Sequence, residues 1–255
     1  MRTNRGIQVL ALIGLLGAAP AYAEWSVNVQ VERFRWKEEI SPPPEVTETG
    51  GRAGFGWSWQ MDGDVGFRAR YRGTLYAGSI KYQGQTFTGT PAQGTTDYAG
   101  IVNELQALYR RAPDAWLQVV AGVGFDYWQR TLPSTSQRED WAVWFTRVGV
   151  ETGTWTKRGF FAGVGAKYPI YTNENAHFMD AGFDQNPELR PGRELSAYAE
   201  LGYRLSPAWK FTGYYDSYRF AQSPNVHLTS GSSAFIAWQP RSSMDVVGLR
   251  IDYYF

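Results

Sequence analysis

The 255-residue chain contains no cysteine. A disulfide framework, a thiolate metal site and a cysteine nucleophile are therefore excluded. Neither sign of charge dominates, because 24 acidic residues stand against 25 lysines and arginines. Without a strong positive charge the chain lacks the electrostatic character of a nucleic-acid-binding protein, so we expect no nucleic-acid partner.

Long apolar runs are also missing after the first two dozen residues. A transmembrane helix needs roughly 18 or more consecutive apolar residues, and no later segment approaches that length. If the mature chain resides in a membrane, it must therefore cross as strands of a closed barrel, since only helices and closed barrels satisfy all backbone groups in lipid.

The N-terminus has the three parts of a secretory signal peptide. A basic start with Arg2 and Arg5 precedes an apolar stretch, and the small-x-small motif Ala21-Tyr22-Ala23 follows. This order is typical of a cleavable export signal. We predict that residues 1–23 are a signal peptide and that residues 24–255 form one domain. An N-terminal membrane anchor is the alternative.

The rest of the chain is rich in glycine and aromatic residues, with 28 Gly, 11 Trp, 16 Tyr and 14 Phe. Apolar residues recur at every second position, as expected for strands that are apolar on one face. The clearest rows occupy alternate positions of 117–127, 160–170, 195–205 and 247–255. Between them lie glycines and large charged residues. This mixture favours the crowded interior of a narrow barrel over the polar face of a soluble sandwich.

Short and long connections alternate along the chain. The short ones are 62–64, 111–114, 153–158 and 206–208, and the long ones are 38–51, 81–95, 131–138, 171–193 and 221–243. Such asymmetry is typical of outer-membrane barrels. The sequence thus predicts an all-β, antiparallel, up-and-down transmembrane β-barrel of ten strands with both termini on the short-turn side. Eight or twelve strands remain alternatives, because 234–239 is either an extension of the last strand or part of a loop.

The last strand ends in an apolar row that includes Leu249, Ile251, Tyr253 and the final aromatic Phe255. This row resembles the assembly signature of bacterial outer-membrane β-barrel proteins, and with the signal peptide and alternating strands the resemblance covers the whole chain. It implies a Gram-negative outer-membrane location, lipid contact and insertion by the barrel-assembly machinery. The resemblance implies no particular activity, since the fold hosts pores, enzymes and adhesins.

Charges of both signs occupy the predicted inward positions. They are Glu32, Arg68, Arg70, Arg72, Glu104, Arg147, Glu151, Glu200, Arg204 and Arg250. We interpret them as a lumen network of ion pairs, in which Arg72 meets Glu104 across neighbouring strands and Glu32 approaches Arg250. The alternative is an anion-selective lining formed by Arg68, Arg70 and Arg72.

Candidates for catalysis are few. The ten-stranded omptin proteases resemble this chain in size class and use Asp–Asp and Asp–His pairs on the outer rim. Asp62 and Asp64 fall in a short turn on the wrong side, and the spacing from His177 to Asp180 does not match Asp-x-His. His227 with Ser230 is a second weak candidate, for a lipase or deacylase.

For both candidates a solvated loop residue is the favoured interpretation. Asp180, Asp184 and Glu188 lack the regular spacing of a calcium loop, so we expect no metal and no cofactor.

The sequence therefore favours a non-enzymatic integral barrel, structural or surface-interacting, with a lumen mostly filled by side chains. A narrow, porin-like channel for small solutes is one alternative. An outer-rim hydrolase, either an omptin-like protease or a lipid-modifying enzyme, is another. No sequence feature identifies a surface ligand.

Overall fold

The computed structural model of the protein describes residues 23–63, 65–85, 89–132, 137–153 and 158–255. The body of the predicted signal peptide, including Ala21 and Tyr22, and the turn residue Asp64 lie outside these residues, so cleavage after Ala23 stays a prediction. The strands are β1 (Ala23–Glu39), β2 (Val46–Met61), β3 (Gly66–Gln85), β4 (Pro91–Arg110), β5 (Leu117–Leu132), β6 (Gln137–Gly153), β7 (Gly159–Ala176), β8 (Glu188–Leu189), β9 (Gly192–Glu194), β10 (Ser196–Arg204), β11 (Trp209–Ala221), β12 (Val226–Ser230), β13 (Ser233–Ala237) and β14 (Arg241–Tyr254).

Ten of these strands close into an antiparallel barrel. Neighbours in sequence pair from β1 to β7, β10 pairs with both β7 and β11, and β14 pairs with both β11 and β1. The prediction of a ten-stranded barrel is therefore confirmed. The ambiguous segment near residue 234 belongs to a separate hairpin, β12–β13, and adds no strand to the barrel.

The outer wall is apolar and the inner wall is polar or aromatic. Val29 is 57% exposed, Phe67 78% and Leu249 65%, as expected for side chains that face lipid. On β5, Val119 is 49% exposed whereas the adjacent Gln118 is 1% exposed. The alternation in the sequence therefore gave the correct register, since a one-residue slip would exchange the two faces.

The strands run further than their apolar residues indicate. The predicted loop at 81–95 is mostly strand, because β3 extends to Gln85 and β4 begins at Pro91. The loop predicted at 38–51 shrinks to 40–45. Strand pairing depends on backbone hydrogen bonds and not on apolar side chains. It therefore continues past the apolar part of the wall, where the outward residues are polar, as in the pair Thr49 and Lys81.

In the part of the chain that the structure describes, no helix is both long and apolar enough to cross a membrane. A short 3-10 helix, Phe178–Ala181, follows β7. This helix packs with β8 and the β12–β13 hairpin through an apolar cluster that includes Phe178, Leu189 and Leu228. The two longest connections thus support each other at the long-loop end of the barrel.

Candidate functional site

An ion pair in the lumen spans its full width. Arg72 on β3 and Glu200 on β10 stand five strands apart in a ring of ten, yet Arg72 Nη1 lies 2.7 Å from Glu200 Oε1. Both side chains are largely buried, at 15% and 10% exposure. A salt bridge between strands on opposite sides of the ring shows that the interior is narrow at this level.

A second pair crosses the lumen closer to the short-turn end. Arg70 binds Glu151 on β6 at 2.5 Å, and Gln118 donates to the same carboxylate at 3.0 Å. The amide oxygens of Gln118 and Gln106 accept from Arg68 and Arg70. Amides between the charges satisfy donors that a carboxylate alone would leave unpaired.

Arg147 on β6 joins two acids toward the long-loop side. Its Nε lies 3.1 Å from Glu104 Oε1 and its Nη2 lies 3.5 Å from Asp216 Oδ1. Asp216 also binds Lys167, whose Nζ is 2.6 Å from Oδ2. The inward charges therefore form linked pairs of opposite sign.

Two of the predicted partners are wrong. Arg72 does stand opposite Glu104 in the strand register, but their side chains pair with Glu200 and Arg147. Long arginine side chains reach across the narrow lumen instead of along its wall. Glu32 binds Arg52 at 2.7 Å, because Gln30, not Glu32, stands opposite Arg250 at the closure of β1 on β14.

Arg204 and Arg250 are the remaining residues of the predicted network, and both lie on the lumen wall toward the short-turn end. Arg204 pairs with Glu24, and its guanidinium lies 4.2 Å from the ring centre of Tyr254. Arg250 Nη2 lies 3.7 Å from Glu200 Oε2, and Arg250 Nε lies 3.3 Å from Asp252 Oδ2.

An aromatic cluster occupies the lumen between these charges and the long-loop end. This cluster was not predicted from the sequence. Trp36 on β1 meets Trp141 on β6, again five strands apart, with ring centres 5.3 Å apart. Trp128 stacks on Trp141 at 5.2 Å. The other buried members are Phe34, Tyr76, Ile80, Tyr98, Val143, Phe145, Tyr218, Phe220, Met244 and Val246. The sequence does contain one signal for an apolar layer in the lumen, because residues 141–145 are apolar on both faces of their strand.

Glycines on neighbouring strands provide the space for buried aromatic rings, both for Phe145 of this cluster and for Phe161 outside it. A Cβ atom at Gly124 would lie 2.3 Å from Phe145 Cζ, and one at Gly202 would lie 2.3 Å from Phe161 Cζ. Any larger residue at Gly124 or Gly202 would therefore displace an aromatic ring. The interpretation of small residues as room for large inward ones is confirmed at these positions.

A third layer lies at the long-loop end, where glutamates surround one arginine. Arg130 binds Glu48 at 2.9 Å, Glu139 at 2.7 Å and Glu38 at 3.4 Å. Thr96 also donates to Glu48, at 2.8 Å. Glu38 and Glu48 fall in a segment that the sequence predicted as loop, so this layer was missed.

The weak catalytic candidates do not come together. The His177 ring binds Asp140, with Nε2 2.9 Å from Oδ2, whereas Asp180 bonds to His177 through its backbone N–H, which donates to the His177 carbonyl at 3.1 Å. Asp140 also accepts hydrogen bonds from Arg138 and Gln129. The Asp140 carboxylate therefore holds His177, the residue that follows β7, against the long-loop end of β6.

The two residues of the second candidate pair lie on opposite faces of one strand. His227 and Ser230 are three positions apart on β12, so they project from opposite faces of that strand. Ser230 Oγ donates to the Gly182 carbonyl at 3.0 Å. Asp184 Oδ1 accepts the backbone N–H of Thr229 at 2.7 Å, and this bond lowers the pKa of the Asp184 carboxyl below its ordinary value. Among the described residues, no group of acids and histidines is arranged to hold a metal ion.

The fold is similar to that of a bacterial outer-membrane β-barrel. The fold matches the outer-membrane protease OmpT of Escherichia coli with a TM-score of 0.52, at 11% identity, over 95% of this chain and 99% of that one. At 11% identity the likeness concerns the fold alone.

Two further structures share lower similarity. The translocator domain of the autotransporter NalP from Neisseria meningitidis matches with a TM-score of 0.43 at 8% identity, covering 94% of this chain and 91% of that one. The Pseudomonas putida toluene transporter TodX matches with a TM-score of 0.41 at 12% identity, covering 92% and 90%. No protein-family model and no curated protein matched the sequence.

Proposed function

We propose that the protein is a non-enzymatic integral barrel of the outer membrane, with a lumen closed by its own side chains and a structural or surface-interacting role at its long-loop end. The observation that carries the proposal is contact across the full width of the ring at two levels. Arg72 meets Glu200 in the charged layer, and Trp36 meets Trp141 in the aromatic layer.

The order of the layers supports closure. An ion that entered from the short-turn side would have to displace paired charges and then cross a buried aromatic layer. Moving an unpaired ion into such an apolar environment is strongly unfavourable. The charged lumen therefore supports the barrel from within and does not act as a selective lining.

Conductance in planar bilayers tests the closed lumen. We expect no steady conductance from the wild type and measurable openings from the double variant Trp36→Ala/Trp141→Ala. The matched control is Trp144→Ala, which removes a tryptophan that is 47% exposed on the outer wall. Large, stable, anion-selective openings from the wild type would instead establish the channel alternative.

The hydrolase alternative needs its own assay. We expect no peptidase or lipase activity from the folded protein in lipid, because His177 is bonded to Asp140, whose carboxylate already accepts from Arg138 and Gln129, and because Ser230 projects from the face of β12 opposite to His227. An activity that disappears in His177→Ala or His227→Ala would reject the non-enzymatic role and establish a rim hydrolase.

We also propose that β14 carries the signal for the barrel-assembly machinery. Leu249, Ile251 and Tyr253 lie on its outer face and Phe255 follows its last residue, and all four side chains are between 39% and 72% exposed. This row is accessible along one edge until β14 pairs with β1, which closes the barrel.

A further inference from the structure

A groove runs across the outer wall of β2, β3, β4 and β5. Its floor is a row of small residues, since Ala53 stands opposite Ala77 and Ala77 opposite Ala99. Larger side chains, Phe55, Leu75, Ile101 and Tyr127, border this floor. The groove has a volume of about 630 Å³ and faces the lipid, so it offers an apolar trough at the height of the acyl chains.

The trough continues into a second, polar groove toward the long-loop end. This groove has a volume of about 510 Å³ and is lined by Thr47, Thr49 and Gly51 of β2 between Arg33 of β1 and Lys81 of β3. Gly51 precedes Ala53 by two positions on the same outward row of β2. The polar groove therefore lies where the wall leaves the acyl chains and enters the headgroup layer.

Among the residues that the structure describes, three of the cations beside this groove are unpaired, whereas Lys37, which stands opposite Thr47, pairs with Glu45 at 2.8 Å. Within the described residues, Arg33, Arg35 and Lys81 take part in no ion pair or hydrogen bond of their side chains. Outward arginines on other rim strands are paired: Arg138 with Asp140 at 2.8 Å, Arg219 with Asp245 at 2.6 Å, and Arg241 with Glu194 at 3.0 Å. Free positive charge is thus concentrated on the face that carries the two grooves.

We propose that these grooves bind a single lipid whose phosphate-bearing headgroup has a net negative charge, in the leaflet on the long-loop side. One acyl chain lies in the alanine-floored trough, and the phosphate lies between Arg33 and Lys81, with Thr47 and Thr49 as hydrogen-bond donors. Basic residues at a membrane surface attract anionic lipid, and the shaped trough adds van der Waals contact that a flat wall lacks. The inference rests on the proposed membrane location but not on the closed lumen.

Native mass spectrometry of the detergent-folded protein tests the site with two lipids. Dioleoyl phosphatidic acid supplies an anionic phosphate monoester, and dioleoyl phosphatidylcholine supplies the same chains with no net charge. We expect the wild type to retain one molecule of phosphatidic acid about tenfold more tightly than phosphatidylcholine.

Two variants separate the two halves of the site. Arg33→Gln/Lys81→Gln removes the cations and should abolish the preference for phosphatidic acid. Ala77→Phe fills the trough and should weaken retention of both lipids. The charge-matched control is Arg111→Gln/Arg190→Gln, far from the grooves, and the size-matched control is Ala107→Phe, which lies on the outer wall of β4 outside the trough. Heat-modifiable gel mobility verifies that each variant folds.

Equal lipid retention by all folded variants would overturn the proposal. So would complete displacement of phosphatidic acid by an equal concentration of inorganic phosphate, which would mean that only the headgroup is bound. A protein dimer that disappears in Ala77→Phe would assign the trough to a second copy of the chain and would also overturn it. Each of these results is compatible with a folded, non-conducting barrel, so the proposed function is judged separately.

Discussion

At the scale of single residues, an inward charge that forms an ion pair takes the partner that the lumen brings within reach. Glu104 illustrates this, since the residue opposite it in the register is Arg72 but the guanidinium beside it belongs to Arg147. Gly122 provides space for the Glu104 carboxylate in this ion pair. A Cβ atom at Gly122 would lie 3.2 Å from Glu104 Oε1, so a larger residue there would crowd the carboxylate.

We expect Glu104→Ala to destabilise the barrel by about 3–5 kcal/mol, because it leaves the buried Arg147 with one fewer acid. Arg147→Met should partly relieve the loss when combined with Glu104→Ala, whereas Arg72→Ala should not. Reversible urea unfolding in lipid vesicles gives the coupling energy through a double-mutant cycle.

The exposed pair Glu188 and Arg190 provides the control for this cycle. Their side chains are 60% and 66% exposed, and Glu188→Ala should change the free energy of unfolding by about 0–1 kcal/mol. A coupling of Glu104 to Arg72 that exceeds its coupling to Arg147 would contradict the observed pairing.

At the scale of the strand, the outward face changes character along its length while the hydrogen-bonded ladder continues. On β4 the outward residues Ile101 and Ala99 give way to Asp97 and Thr95, and every one of them remains paired with β3. The border between lipid and water is therefore encoded in side chains and not in the ends of the strands.

The position of this border predicts the free-energy cost of an outward arginine inside the apolar band and beyond it. Val119→Arg should cost about 2–4 kcal/mol, because Val119 lies within the apolar band, where a charge is poorly solvated. Thr95→Arg should cost about 0–1 kcal/mol, because its side chain is beyond the band. Unfolding titrations in vesicles of one lipid composition measure both, and equal costs would place the border elsewhere.

At the scale of the whole molecule, the barrel exists only when its first and last strands meet. β1 and β14 pair from Ser26–Tyr254 to Glu39–Arg241, and the backbone N–H of Phe255 donates to the Trp25 carbonyl at 3.1 Å. Closure therefore joins residues that are more than two hundred positions apart. Such contacts carry a high loop-closure entropy and form late.

We expect deletion of Phe255, or its change to Asp, to reduce assembly in cells far more than it reduces the stability of protein refolded in vitro. Phe255 is 72% exposed, so its own packing contributes little, and a large effect in cells would reflect recognition during assembly. The fraction of heat-modifiable barrel in membranes measures this, with Phe67→Asp as an outward aromatic control. Normal yield in cells would reject the role of Phe255 as a signal.

The sequence alone determined the all-β class and the face of the clearest strands, and it predicted ten barrel strands with eight or twelve as alternatives that the structure then removed. These properties follow from alternation at a period of two and from turn composition, both of which are local. Local signals also explain two errors, since polar outward residues in 38–51 and 81–95 were interpreted as loops although the backbone ladder continued through them.

Only the tertiary structure decided which inward residues meet. Arg72 with Glu200, and Trp36 with Trp141, join strands on opposite sides of the ring, and no local pattern specifies a partner across a lumen. The same holds for the outer grooves, where alanines from three strands become one floor only after pairing fixes their register. The physical reason is that closure brings distant side chains within a few ångströms of one another, and their sizes and charges then select the contacts.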